Sequence, residues 1–123
     1  MNSRSVFDGG KVSGRVAAVF GNNHATVIKE ISEAIKQNDV VVVGMSMNPF
    51  VIKARKNLDK LGIPFTYLEY GTYFNNYDLR VAIKMWSGWA TFPQIFVKGT
   101  FIGGSDDLNA EIADGTFQKR LSK

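Results

Sequence analysis

The sequence predicts an α/β fold, a four-stranded mixed sheet with helices on both faces, and three observations carry the prediction. Val40 to Val43 is an unbroken run of β-branched residues, as expected of a strand buried on both sides. Amphipathic helical stretches alternate with such strands along the chain, and two short strands flank Gly99 as in a hairpin. The element order reads α, β, α, β, α, β, β, α, with no internal repeat.

Residues 1–24 are rich in Ser, Gly and Asn around one short apolar run, Val16 to Phe20, and read as a mobile arm or irregular lead-in to a domain over residues 25–123. Thr26 is placed to cap a helix in which Val27, Ile28, Ile31 and Ile35 share one side while Lys29, Glu30, Glu33 and Lys36 face water. After the Val40 to Val43 strand and a turn at Ser46 to Pro49, Val51, Ala54, Leu58 and Leu61 line one side of a second helix. Pro49 stands in its first turn and Gly62 ends it. Phe65 to Tyr70 is the next strand, and the crossover between the two strands is expected to be right-handed. Asp78 to Ser87 reads as a helix with Leu79, Ile83 and Trp86 inward. Gln94 to Lys98 and Thr100 to Ile102 form the hairpin, and Leu108, Ile112 and Phe117 belong to a closing helical segment broken at Gly115.

Composition bounds the chemistry. The chain has 123 residues, enough for one domain, and 45% hydrophobic with 21% charged residues is an ordinary globular mixture. There is no cysteine, so no disulfide, thiolate metal site or cysteine nucleophile can come from this chain. The net charge of +4 is not gathered into a block, so nucleic acid is not indicated as a partner, and no apolar run is long enough to suggest a membrane span. The expected location is cytoplasmic; Arg4, Lys11 and Arg15 faintly suggest an organelle presequence, which Gly9, Gly10 and Gly14 interrupt. His24, the single histidine, falls in the lead-in before the first helix, away from any catalytic pattern. Met45 and Met47 are thioethers that could hold copper(I), but two methionines at a strand end more often pack. Tyr73, Phe74 and Tyr77 lie in an Asn-rich loop that could form a binding surface.

Two further strings invite ligand chemistry. Thr91-Phe92-Pro93 fits a cis X–Pro bond that presents the main chain of Phe92 for strand-like pairing with an extended peptide; the competing reading is a trans proline starting an edge strand. Gly103-Gly104-Ser105-Asp106 joins a strand to a helix, where backbone N–H groups attract a carboxylate; the competing reading is a tight turn with Asp106 as N-cap.

Taken together, Trp89-Ala90-Thr91-Phe92-Pro93-Gln94 through Gly103-Gly104-Ser105-Asp106 closely resembles the W-x-T-F-P-Q strand, hairpin and G-G-x-D turn of monothiol glutaredoxins. Arg80 matches a glutathione-contacting helix arginine of that family, and Asn48-Pro49-Phe50-Val51 resembles the C-P-F-C of dithiol members with both cysteines replaced. The resemblance runs from about Thr26 to the end and implies a thioredoxin-like (glutaredoxin) fold, a cis Phe92–Pro93 bond and a glutathione groove. It implies that Arg80, Thr91, Phe92, Pro93, Gly104, Ser105 and Asp106 line the groove: Phe92 for backbone pairing, Arg80 as carboxylate clamp, Asp106 as acceptor for the ligand's ammonium, and Asn48 as floor.

The chain departs from the family where catalysis resides. Asn48 stands at the nucleophilic cysteine, Val51 at the resolving cysteine, and Met45 at a lysine that helps hold thiolate and glutathione carboxylate; the short insertion of monothiol members is missing. An amide is neither nucleophile nor redox centre, so exchange by the usual route is excluded and no catalytic residue is assigned. An iron–sulfur cluster bridged between protomers is disfavoured for want of a thiolate. The leading expectation is a redox-inactive glutaredoxin-like protein that binds glutathione or a peptide or protein partner. The rivals are an interaction scaffold with no small ligand, including a homodimer, and a glutathione-dependent oxidoreductase or iron–sulfur-related glutaredoxin working through bound glutathione.

Overall fold

A computed structural model describes residues 15–18, 24–71 and 77–123. The elements in chain order are β1 (Arg15–Ala18), α1 (His24–Gln37), β2 (Val40–Gly44), α2 (Pro49–Lys60), β3 (Thr66–Glu69), α3 (Tyr77–Ser87), β4 (Gln94–Val97), β5 (Thr100–Gly103), α4 (Ser105–Asp114) and α5 (Thr116–Leu121). The four strands expected from the sequence form a mixed sheet in the order β3-β2-β4-β5, and β1 adds a fifth at the β3 edge. β2 and β3 are parallel, whereas β4 runs antiparallel to both β2 and β5. Helices α1 and α3 pack together, as do α2 and α4.

β1 corrects the reading of residues 1–24 as an irregular lead-in. Arg15 pairs in register with Thr66 and Ala18 with Glu69, parallel to β3. Two alanines and one arginine in four residues carry little β-propensity, so the strand is specified by the free edge of β3 rather than by local sequence. Residues 1–14 lie outside the described residues. Helix α1 begins at His24, so His24 opens the helix and Thr26 sits inside it instead of capping it.

All five residues of β2 are buried, which is why its sequence shows no alternation. Gly44 ends it because nothing larger fits: a Cβ there would stand 2.8 Å from Val51 Cγ1 and 3.0 Å from Tyr67 Cε1. Val51, Ala54 and Leu58 face the sheet from α2, as the 3.6-residue period requires. In α3, Leu79 and Ile83 are buried, but Trp86 is 41% exposed and is a correction to the inward assignment. Three residues after Ile83 it falls on the flank of the helix, where its ring meets Phe96 at 6.0 Å. The β4–β5 hairpin turns through Lys98 (φ 50°) and Gly99 (φ 81°), two successive left-handed residues as a type I′ turn demands.

Two buried tyrosines tie the core to its carboxylates. Tyr67 donates to Glu69 Oε1 at 2.9 Å and lies under the Arg55 guanidinium, 4.0 Å from the ring centroid. Tyr70 donates to Glu30 Oε1 at 3.2 Å, linking β3 to α1. Burial, reinforced by the adjacent Glu69 and Glu30, pushes both phenols above their ordinary value of 10.0. The folded state therefore holds these protons more tightly than the unfolded chain does. The stability they contribute is complete below pH 10 and declines as pH rises past it.

Two outcomes follow for equilibrium unfolding. Stability of the wild-type protein is expected to fall above about pH 10, and Tyr67→Phe to flatten that decline; an unchanged alkaline slope in the variant contradicts the assignment. Gly44→Ala is expected to lower stability by about 1–3 kcal/mol through overpacking between β2 and α2, read from denaturant midpoints, and a neutral result contradicts it.

Candidate functional site

The topology brings four chain segments to one end of the sheet. Val43 is opposite Gln94, so the chain leaving β2 at Met45 passes the chain entering β4 at Phe92 and Pro93. Gly44 is opposite Glu69, and the Ser46 N–H donates to the Gly71 carbonyl at 2.8 Å, so the end of β3 closes the same region. β5 finishes at Gly103 opposite Ile95 and passes into α4. Ligand sites of α/β sheets sit at such strand ends.

Asn48 is the N-cap of α2, with extended backbone angles (φ −88°, ψ 121°). Its Oδ1 accepts from Phe50 N–H at 2.9 Å and Val51 N–H at 3.1 Å, and its carbonyl accepts from Ile52 N–H at 3.0 Å. Pro49, the first helical residue, has no N–H. The first four residues of α2 therefore offer no free donor, and the end of the helix that would hold an anion is closed by a neutral amide. Asn48 acts as a helix cap, and Asn followed by Pro is a cap signature that the sequence displays openly.

The α4 end is built the opposite way. Gly104 is the N-cap, so Asp106 is the second helical residue and not the cap. Asp107, three residues after Gly104, reaches back and accepts from the Gly104 N–H at 2.9 Å. Gly103 must be glycine: its φ is 114°, and a Cβ would overlap the Asp107 carboxylate. The first residues of α4 have no helical carbonyl behind them, so this end keeps donors that α2 has spent. Ser105 is buried with its Oγ unpartnered, whereas Asp106 is exposed.

The Phe92–Pro93 peptide bond is cis. Phe92 and Pro93 are buried and Thr91 is exposed. Gln94, fully buried, donates from Nε2 to the carbonyls of Trp89 at 3.1 Å and Thr91 at 3.4 Å, fixing the loop that leads into Pro93. In the sequence Gln94 reads as a strand residue within the W-x-T-F-P-Q string, with nothing to mark its hydrogen bonds, and Asp107 is signalled only by its spacing of three from Gly104. Lys84 Nζ stands 5.6 Å from the Phe92 ring centroid.

Arg80 is placed differently from a solvent-facing clamp. It is 4% exposed, and its Nη1 donates to the Tyr70 carbonyl at 3.2 Å, at the same end of the sheet as Ser46 and Asn48. Met45 belongs to the core, but Met47 is 75% exposed with φ 64°, so packing accounts for the first methionine only. Val51, at the second cysteine position, is a core residue on the sheet side of α2. Tyr73 and Phe74 lie outside the described residues, and Tyr77 opens α3. No cluster of three His, Asp or Glu side chains able to hold a metal occurs among the described residues.

Comparison with known proteins agrees with this geometry. The glutaredoxin family model matches residues 40–102, from the start of β2 into β5. A glutaredoxin-like protein of Dictyostelium discoideum is 46% identical over 113 residues, 92% of each chain. Glutaredoxin-2 of Schizosaccharomyces pombe is 31% identical over 93 residues, 76% of this chain and 84% of its own. Among solved structures, oxidized glutaredoxin 2 from Chlamydomonas reinhardtii superposes with a TM-score of 0.68 at 28% identity, covering 81% of this chain and 94% of that one. A buckwheat glutaredoxin–glutathione complex shares the fold at TM-score 0.69 and 22% identity, over 80% of this chain and 90% of that one. A sheet end built from the Asn48 cap, the Phe92–Pro93 turn and the Gly103–Gly104 entry to α4 thus sits on a thioredoxin-like scaffold, and the chain belongs to the glutaredoxin family, as a member with no cysteine.

Proposed function

We propose that this protein is a glutaredoxin-like binding module that holds glutathione, or a short peptide of like chemistry, and carries out no thiol–disulfide exchange of its own. The observation that carries the reading is the closed N-terminus of α2. A nucleophilic thiolate needs the donors at a helix start to lower its pKa; here Asn48 Oδ1 consumes the Phe50 and Val51 N–H groups, and the residue itself has no exchangeable sulfur. With Met45 buried where the family has a lysine, no cation at that position would activate the thiol of a bound glutathione either.

What remains suits binding. The main chain at Phe92 supplies an extended edge for peptide pairing, and the donors at the start of α4 take a carboxylate, with Asp106 exposed beside them to accept from an ammonium. Arg80 contributes positive charge from behind the site through its place on the Tyr70 carbonyl, in keeping with its burial. The glutathione bound to the buckwheat relative supports the choice of ligand. The residues do not fit an iron–sulfur cluster, because the chain has no cysteine to ligate one.

Three experiments test the reading. Titration with glutathione is expected to give saturable heat near a Kd of about 1 mM, with amide shifts at Thr91, Phe92, Gly104, Ser105 and Asp106; absence of both leaves the scaffold alternative in its place. Asn48→Cys is expected to free the Phe50 and Val51 donors and to yield a thiol with a pKa below about 8.5, measured by pH-dependent alkylation. A thiol that titrates at or above the free value contradicts the role given to the helix end. Asn48→Ala, which leaves both donors without the cap, is expected to cost about 0.5–2 kcal/mol in denaturant unfolding.

A further inference from the structure

The outward side of α2 carries features that the groove does not use. Met47, Phe50 and Ile52 are 75%, 56% and 41% exposed. A large aromatic side chain more than half exposed in a first helical turn, next to an exposed methionine, forms an apolar tip. Behind it, Lys53, Lys56 and Lys60 are all exposed and spaced i, i+3 and i+7, so they form one stripe about 10 Å long down the solvent side of the helix. None of the three is paired in an ion pair among the described residues. With Arg55, α2 carries four cations against the single acid Asp59.

We propose that this face of α2 is a docking surface for an acidic protein segment that places one apolar anchor against Met47 and Phe50 and runs its carboxylates along Lys53, Lys56 and Lys60. Charge complementarity sets the partner's sign, and the linear order of tip then stripe sets the arrangement of its groups: an apolar residue at one end of an acidic run. A membrane surface fits less well, because interfacial helices spread their apolar side chains along the whole buried face, whereas here they collect at one end and lysines occupy the rest. The tip stands beside Asn48 at the edge of the proposed groove, and the lysine stripe runs away from it along α2.

The test uses the full chain and a fluorescent probe peptide of about twelve residues, a Leu-Phe pair followed by four glutamates, read by anisotropy at about 25 and 250 mM salt. Expected are saturable binding that weakens at the higher salt, at least a tenfold loss of affinity in K53E/K56E/K60E, and at least a fivefold loss in Phe50→Ser, each variant retaining the wild-type thermal midpoint. Glutathione is titrated separately into the same protein without the probe, so a failure of groove binding and a failure of this surface are separately visible. The proposal is overturned by absence of probe binding, by equal affinity in the triple variant, or by comparably tight binding to phosphatidylserine vesicles.

Discussion

The first turn of α2 sets the character of this molecule. A helix start concentrates unpaired N–H groups, and their positive field can be used to stabilise a charge or can be neutralised locally. Here it is neutralised: proline removes one donor, and Asn48 takes the next two with its side chain and the fourth with its carbonyl. The helix thereby gains a stable start, and its first turn has no free donor left for an anion. The neighbouring substitutions agree in direction, since Val51 has joined the core and Met45 is buried.

At the same end of the sheet, α4 begins with a glycine N-cap whose own N–H is satisfied by Asp107, leaving the following residues of the helix without internal acceptors. The two helix ends therefore differ: the first turn of α2 has no free donor, and the first turn of α4 keeps its own. Gln94 holds the approach to Pro93 through the carbonyls of Trp89 and Thr91, so the turn into Pro93 is fixed by hydrogen bonds of a buried side chain. Such a turn does not depend on a nucleophile, which separates family membership from activity.

Much of this was legible in the sequence because particular residues leave few choices. The Val40–Val43 run has no polar face to expose, so a central strand is its only comfortable place, and Gly99 between two short apolar strands signals the tight hairpin. The absence of cysteine, a fact of composition alone, leaves the chain without a thiol nucleophile. Other features were hidden for physical reasons. β1 is an alanine-containing strand defined by pairing with β3, a contact between residues some fifty positions apart that no local pattern reports. Trp86 follows the helical period but falls on the flank, where half burial against Phe96 suffices. Arg80 was readable as a motif residue, but its burial against the Tyr70 carbonyl depends on how α3 packs over the end of β3.

The most direct measurement is turnover of a glutathione mixed disulfide by the purified wild-type chain, with reduced glutathione and a regenerating reductase supplied in excess. If the closed helix end and the missing sulfur determine what the protein does, the rate equals that of the reaction mixture without protein at every protein concentration. A rate that rises in proportion to the protein, and persists after removal of trace thiol enzymes, contradicts the account.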